Sequence, residues 1–256
     1  MSAVIREDID DIAVLTLNRP QVRNAVNDDI VDAIEEHLAD LDHHHCKAII
    51  ITGADKAFCA GTDLKEMQAQ GRERYFQRIR RMHDLIERFR SHRCVSIAAV
   101  NGMALGGGME LAAACTFRVS HPDAFFSLPE IFLGVMPCYA GTQTITRLIG
   151  ESRALDLALT GRQIRSQEAF DMGFVNRLAE SNNVVEDAVT FAKQLVQYSE
   201  VARNGIRRAI GATFDMPLTE SMAVEREQAH QVFSSEDAEE GVSAFLQKRA
   251  PQFKHR

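Results

Sequence analysis

Apolar positions in the first 120 residues alternate between two periodicities. Short apolar runs, typical of buried strands, occupy Ile12–Leu17, Lys47–Thr52 and Val95–Val100. Apolar residues recur at helical spacing after Asn27, a residue that commonly caps helices, and again over residues 76–90. This alternation of strand and helix predicts an α/β fold with crossover connections.

The last third of the chain is predicted to be mainly helical. Helical patterns cover residues 155–159, 167–172, 186–196 and 219–233, and Ser235 begins one more helix. No internal repeat, low-complexity tract or Pro/Ser-rich linker interrupts the chain. We therefore expect an α/β core over residues 1–195 and a helical C-terminal region over residues 196–256.

Composition excludes several classes of protein. The 256 residues are 45% hydrophobic and 25% charged, which excludes a disordered or collagen-like chain. A net charge of −7 argues against a dedicated nucleic-acid or anionic-membrane binder. Five cysteines, none in a C-x-x-C pair, favour a reducing, cytoplasmic compartment over a disulfide framework. The acidic first ten residues predict neither a secretory signal nor a transit peptide.

One segment has the length of a membrane span. Ser96–Phe117 contains 22 residues and a single charge, that of Glu110. Three consecutive glycines and Asn101 interrupt the segment, and a carboxylate near the bilayer centre would be costly. We favour a buried strand, a tight glycine turn and a buried helix, so that Glu110 points into the protein interior.

Two glycine-containing turns are candidates for binding a negatively charged oxygen. Gly106–Gly108 follow one predicted strand, and the stretch Ala57–Lys65 follows another. The first backbone N–H groups of a helix have no partner within it, so two such turns can donate to one oxygen, as in an oxyanion hole. The alternative is a tight turn beneath a packed helix. No dinucleotide-binding, P-loop or nucleophile-elbow motif occurs.

Two glutamates complete the candidate site. Glu110 lies in the apolar run described above, and Glu130 lies between Pro129 and Ile131. Apolar surroundings raise the pKa of a carboxyl group toward the range useful for acid–base catalysis. The alternatives are a salt-bridged Glu110 and a surface Glu130 at the end of a strand.

Three motifs resemble the crotonase superfamily. They are Ala57–Met67 (AFCAGTDLKEM), Asn101–Leu111 (NGMALGGGMEL) and Pro129–Pro137 (PEIFLGVMP) with the Gly141–Gln143 segment that follows. Within the superfamily the chain is most similar to enoyl-CoA hydratase, nearly from end to end. The resemblance implies a spiral of ββα units that forms two nearly perpendicular sheets, followed by a helical trimerisation region.

The resemblance also implies a reaction: addition of water across the 2,3 double bond of an enoyl-CoA thioester. Thr62 and Gly107 would bind the thioester oxygen through their N–H groups, and Glu110 and Glu130 would exchange protons. The residues implied in binding the substrate or its CoA moiety are Arg23, Ala25, Lys56, Ala60, Gly61, Asp63, Leu64, Lys65, Gly106, Phe132, Cys138 and Lys248.

Coenzyme A would be part of the substrate, with no metal or redox cofactor. The protein would form a homotrimer or a hexamer and bind neither nucleic acid nor membrane. Isomerisation, dehydration of a specialised hydroxyacyl-CoA and thioester hydrolysis are the alternative reactions, because members of the superfamily share the scaffold.

The chain departs from the family pattern at two places. Cys138-Tyr139-Ala140 stands where a small glycine-rich turn is usual, and Thr62 replaces a small apolar residue. We expect these changes to narrow or reshape the acyl pocket. Two other features are interpreted as solvated surface: His43–His45, which would otherwise suggest a metal site, and Arg72–Arg93, which would otherwise suggest RNA binding.

Overall fold

The computed structural model describes residues 2–255 and divides the chain into two compact units, residues 1–190 and 191–256. The first unit contains both β-sheets. Its strands are β1 (Val4–Ile9), β2 (Ile12–Leu17), β3 (Ala48–Gly53), β4 (Ala57–Cys59), β5 (Val95–Val100), β6 (Met103–Leu105), β7 (Phe117–Ser120), β8 (Phe125–Ser127), β9 (Ile164–Arg165) and β10 (Arg177–Leu178).

The helices of the first unit connect these strands. They are α1 (Asp28–Leu41), α2 (Leu64–Ser91), α3 (Gly107–Ala114), α4 (Gly141–Ile149), α5 (Glu151–Thr160) and α6 (Ser166–Asp171), with short 3-10 helices at Pro20–Val22 and Pro129–Leu133. Helix α7 (Val184–Val196) spans the boundary between the two units.

The larger sheet has six strands in the order β1-β2-β3-β5-β7-β10. Its neighbouring strands are parallel except for the antiparallel pair β1–β2. Every residue of β3 and β5 is buried. Strands that are covered on both faces are apolar throughout, which explains the continuous run Ile49–Ile51.

A strand–strand–helix unit occurs three times in succession. The units are β3-β4-α2, β5-β6-α3 and β7-β8 followed by the 3-10 helix and α4. In each unit the first strand joins the larger sheet and the second joins the smaller sheet, whose order is β4-β6-β8-β9. Because β4, β6 and β8 are parallel neighbours, the segments that follow them meet at one edge of the smaller sheet.

The C-terminal unit is helical. After the end of α7 it contains α8 (Glu200–Ala212), α9 (Leu218–Phe233) and α10 (Glu236–Leu246). Helices α8 and α9 pack together, and the side chain of Val232 lies next to Gly205. Ser199 and Ser235 cap α8 and α10 by accepting hydrogen bonds from Ala202 N and Ala238 N.

The α/β class is confirmed, and so are the three predicted strands. Ser96–Phe117 contains β5, β6 and α3 rather than a membrane span, and no helix among residues 2–255 is long and apolar enough to cross a membrane. The sequence patterns missed β1, β7 and β10 of the larger sheet, the short strands of the smaller sheet, and helices α4 and α8. The helix predicted over residues 76–90 is the second part of α2, which is interrupted at Gly71 (φ 80°).

Candidate active site

Two backbone N–H groups converge where β4 and β6 end. Val26 N donates a hydrogen bond to Gly61 O, and Val26 O accepts one from Asp63 N. Thr62 lies between these two bonded residues. Its N–H group therefore points away from Val26. Gly107 is the first residue of α3, where an N–H group has no partner within the helix. A Cβ placed on Gly107 would lie 3.7 Å from Thr62 N, so the two groups are close neighbours. The pair has the arrangement of an oxyanion hole.

Glu110 is the buried carboxyl group of this site, with 1% of its surface exposed. It lies one turn into α3, and its Oε1 accepts hydrogen bonds from Tyr139 N (2.8 Å) and Gly141 N (2.7 Å). Burial and the nearby Glu130 carboxylate raise the pKa of Glu110 to about 8, although backbone N–H groups of residues 138–141 oppose the rise. No cation pairs with Glu110 among the described residues, and its raised pKa lies close to neutral pH.

Glu130 approaches the site from the 3-10 helix that follows β8. A Cβ placed on Gly106 would lie 2.6 Å from Glu130 Oε1, so this carboxyl group lies directly against the glycine turn. Its Oε2 is buried and has no hydrogen-bond partner within the described part of the chain. Burial raises the pKa of Glu130. Glu130 is therefore a half-buried group beside the N–H pair rather than a surface residue at the end of a strand.

The segment Cys138–Ala140 forms one wall of the site. Tyr139 is completely buried, and Thr62 Oγ1 donates a hydrogen bond to Tyr139 Oη (3.1 Å). Ala140 adopts a left-handed conformation (φ 64°), and Cys138 Sγ lies 3.1 Å from Tyr75 Oη. The departure from a glycine-rich turn thus places a tyrosine ring inside the site.

Two of the predicted CoA-binding residues line one surface cleft. Arg23 and Lys56 are both exposed and border a cleft of about 700 Å³, together with Ala57 and Met103. Arg23 O accepts a hydrogen bond from Ala60 N (3.0 Å), which connects this cleft to the turn that carries Thr62. Two cations that border one cleft form a suitable surface for phosphate groups.

The remaining predicted residues differ in their surroundings. Gly61 (φ 94°) and Gly106 (φ 49°) form the two turns, and Ala25 is buried. Asp63 caps the start of α2, and its carboxylate forms a salt bridge with Arg19 at 3.0 Å. Leu64 and Lys65 are exposed on the first turn of α2. Phe132 is 70% exposed, and its ring lies against Gly161. Lys248 follows α10 in the C-terminal unit.

Sequence reasoning missed the roles of two residues in the site. Gly141 supplies a hydrogen bond to Glu110, and its missing side chain leaves room for that carboxyl, since a Cβ would lie 2.6 Å from Oε1. Gly141 lies within a family-like motif, which was the available signal. Tyr75 had no such signal, because it reaches Cys138 only through the packing of α2. Gly108, which the sequence placed in the glycine turn, permits close packing of α3 on β4, because a Cβ there would lie 2.3 Å from Cys59 O.

The arginine-rich face of α2 is occupied by carboxylates. Arg74 and Arg78 bond Asp28, and further along the helix Arg81 pairs with Glu35 and Arg88 with Asp42. Among residues 2–255, no three His, Cys, Asp or Glu side chains are grouped to hold a metal ion. All five cysteines are free.

Comparison with known proteins agrees with this geometry. The family model described as Enoyl-CoA hydratase/isomerase matches residues 7–256. A Mycobacterium bovis protein named "Probable enoyl-CoA hydratase echA8" is 39% identical over 249 residues, which covers 96% of this chain and 95% of that protein. The mitochondrial enoyl-CoA hydratase of Pongo abelii is 34% identical over 245 residues, covering 95% of this chain and 83% of the relative.

Solved structures match over the whole fold. The crystal structure of enoyl-CoA hydratase from Bacillus anthracis superposes with a TM-score of 0.95 at 30% identity, covering 99% of this chain and 100% of that one. An enoyl-CoA hydratase structure from Geobacillus kaustophilus superposes with a TM-score of 0.93 at 35% identity, covering 99% of this chain and 98% of that one. The chain belongs to the enoyl-CoA hydratase/isomerase family, the crotonase superfamily, and is most similar to enoyl-CoA hydratases.

Proposed function

We propose that this protein is an enoyl-CoA hydratase, which adds water across the 2,3 double bond of an enoyl-CoA thioester. The observation that carries the proposal is the presence of two buried or half-buried carboxyl groups, Glu110 and Glu130, beside one pair of free N–H groups. Hydration needs both a proton acceptor for water and a proton donor for carbon, and this site contains two groups able to exchange protons.

Polarisation of the thioester is the first step. Its carbonyl oxygen accepts hydrogen bonds from Thr62 N and Gly107 N, which withdraws electrons from the conjugated double bond and makes C3 electrophilic. Negative charge builds on this oxygen as the enolate forms. The N–H pair stabilises the enolate more than the substrate, and one such donor commonly contributes about 3 kcal/mol to lowering a barrier.

Glu110 and Glu130 then divide the proton transfers. Glu110 accepts a proton from water while the water oxygen bonds to C3, and protonated Glu130 donates a proton to C2. The product gains the elements of one water, and a proton passes from Glu110 back to Glu130. Burial raises the pKa of both carboxyl groups, and we propose that the interacting pair shares one proton before the substrate reacts.

The substrate's CoA moiety is proposed to bind over the cleft at Arg23 and Lys56. Their charges suit the phosphates of CoA, and Lys65 and Lys248 are proposed as further phosphate contacts. We propose no metal or redox cofactor, because every step above uses this chain's own carboxyl and N–H groups. Nucleic-acid binding through α2 is disfavoured, because carboxylates of α1 and its flanking residues already pair with several of its arginines.

We propose that the protein is cytoplasmic and forms a homo-oligomer. Five free cysteines fit a reducing, cytoplasmic compartment. The C-terminal unit exposes several large apolar side chains, among them Phe233 and Phe245. We propose that they are covered in a homotrimer or in a hexamer built from two trimers.

Loss of the conjugated thioester absorbance of crotonyl-CoA measures the proposed reaction. We expect Glu110→Gln and Glu130→Gln each to lower kcat by about a hundredfold or more, because each removes an acid–base group and keeps the shape of the side chain. Glu87→Gln, an exposed change on α2, is the matched control and keeps the wild-type rate. Mass spectrometry identifies the reaction: hydration adds one water, whereas isomerisation leaves the mass unchanged. No turnover of any enoyl-CoA would disprove the proposal.

A further inference from the structure

Tyr139 contacts both sides of the candidate site. Its backbone N donates a hydrogen bond to Glu110 Oε1 (2.8 Å), and its side-chain Oη accepts one from Thr62 Oγ1 (3.1 Å). Between these ends the ring packs against Gly107, because a Cβ on Gly107 would lie 2.8 Å from Tyr139 Cδ2. Tyr139 therefore contacts both residues of the N–H pair and also the buried carboxyl group.

The N–H pair is built on two glycine turns. Thr62 follows Gly61 (φ 94°), and Gly107 follows Gly106 (φ 49°). Glycine has more conformational freedom than any other residue, so a glycine turn depends on outside contacts to hold one conformation. Helix α3 holds Gly107 and Glu110 together, whereas Thr62 belongs to the turn after β4. The position of Thr62 relative to α3 is therefore fixed by tertiary contacts.

The hydrogen bond between Thr62 and Tyr139 is one of these contacts. Both residues are departures from the family pattern, and the structure makes them partners. Tyr139 is completely buried, and a hydrogen bond that is shielded from water is stronger than an exposed one. Burial also raises the pKa of Tyr139 to about 12, so the phenol keeps its proton near neutral pH and does not exchange protons with the substrate.

We propose that Tyr139 is a positioning residue of the reaction: it fixes the N–H groups of Thr62 and Gly107 at the distance from Glu110 that enolate formation needs. This rests on the proposed hydratase function, in which the enolate oxygen lies at the N–H pair while Glu110 activates water. Tyr139 acts on the transition state through these neighbours, and a small displacement of a catalytic group is enough to lower a rate strongly.

The first test removes only the hydroxyl group of Tyr139. We expect Tyr139→Phe to lower kcat for crotonyl-CoA by about tenfold and to change KM by less than about twofold, because the lost contact serves the enolate more than the bound substrate. Tyr198→Phe removes the hydroxyl group of a tyrosine that is 56% exposed, so this matched control keeps the wild-type rate. A wild-type kcat in Tyr139→Phe would overturn the proposal.

A double-mutant cycle tests whether the two hydroxyl groups act as one unit. Thr62→Val keeps the N–H group and the branched shape of the side chain but removes the hydroxyl group. We expect it to lower kcat by about the same factor as Tyr139→Phe, and the double variant to be no slower than the slower single variant, because both changes break the same bond. Losses that multiply in the double variant would contradict the proposal.

A binding measurement distinguishes positioning from a general effect on the fold. Acetoacetyl-CoA forms an enolate because its C2 proton is acidic, whereas butyryl-CoA presents only a neutral thioester oxygen. We expect Tyr139→Phe to weaken binding of the acetoacetyl-CoA enolate, followed by its absorbance, by about fivefold or more. Binding of butyryl-CoA, measured by calorimetry, should weaken by less than about twofold. Equal weakening of both ligands would show a merely structural role and would overturn the proposal.

The two proposals fail separately. If the wild-type protein hydrates no enoyl-CoA, the hydratase function is disproved, and binding of the enolate still tests Tyr139. If the wild-type protein hydrates crotonyl-CoA and Tyr139→Phe matches it in kcat and in enolate binding, only the role of Tyr139 is disproved. If thermal melts show that Tyr139→Phe does not fold, Thr62→Val tests the same hydrogen bond from its other end.

Discussion

At Glu110, backbone groups replace the countercharge that a buried carboxylate usually has. N–H groups of Tyr139 and Gly141 donate to its Oε1, and no cation lies against it among the described residues. Burial and Glu130 nevertheless raise its pKa to about 8. The site therefore keeps a carboxyl group that can hold or release a proton near neutral pH, at a cost in stability when the group is charged.

This cost predicts a pH-dependent difference in stability. The folded pKa of about 8 lies above the ordinary value of 4.5, so the stability contributed by protonated Glu110 is complete below the ordinary value and is lost as pH rises through about 8. Glu110→Gln keeps the hydrogen-bonded shape without the charge. We expect its melting temperature to exceed the wild-type value by several degrees at about pH 9 and by much less at about pH 5.

Differential scanning calorimetry at both pH values checks this difference. Glu87→Gln changes an exposed residue, so its melting temperature should differ from the wild-type value by the same small amount at both pH values. A Glu110→Gln difference that does not grow with pH would contradict the raised pKa.

At the scale of elements, buried ion pairs join α1 to both parts of α2. Arg78, whose side chain is fully buried, donates through Nε to Asp28 at the start of α1 (2.7 Å) and through Nη2 to Glu66 in the first turn of α2 (2.6 Å). Gly71 lies between Glu66 and Arg78, so these bonds bridge the interruption of the helix. The same helix brings Tyr75 to Cys138, so the network also positions a wall of the site.

Removal of Arg78 should therefore destabilise the fold strongly. We expect Arg78→Ala to lower the free energy of unfolding by about 3–5 kcal/mol, because two carboxylates lose a buried partner. Exposed Arg80 on the same helix provides the control, because Arg80→Ala should change the free energy of unfolding by less than about 0.5 kcal/mol. Urea denaturation measures both values, and similar losses in the two variants would show that the buried network contributes little.

Over the whole molecule, charge and apolar surface are distributed unevenly. The net charge is −7, yet Arg23 and Lys56 border the cleft proposed for CoA. In the C-terminal unit, Phe233 is 79% exposed and Phe245 is 81% exposed. Large apolar side chains that are this exposed and grouped in one unit are typical of protein–protein interfaces.

The proposed assembly predicts the mass of the protein in solution. Light scattering should give three or six times the mass of one chain. Phe245→Asp should lower that mass, because burial of a phenylalanine contributes about 2 kcal/mol and burial of an unpaired charge opposes association. Phe245→Tyr keeps the ring and should leave the assembly intact. A wild-type protein that has the mass of one chain would disprove the assembly.

The sequence by itself predicted the α/β class, the long buried strands and the glycine turns. Fully buried strands need continuous apolar runs, and tight turns need glycine, so both leave a local signal, as at Ile49–Ile51 and Gly106–Gly108. The motifs also identified Glu110 and Glu130 as candidates. Three-residue strands such as β4 and β6 are too short to show a period, and the sequence patterns missed them.

Only the tertiary structure brought these residues together. Parallel pairing of β4, β6 and β8 places Thr62, Gly107 and Glu130 at one edge although they are far apart in the chain. The raised pKa of Glu110 depends on burial by other elements, and Tyr139 acquires its position only by packing on Gly107. Local sequence patterns reflect the backbone conformation and burial of neighbouring residues in the chain. The distances between elements depend instead on how the strands pair and the helices pack.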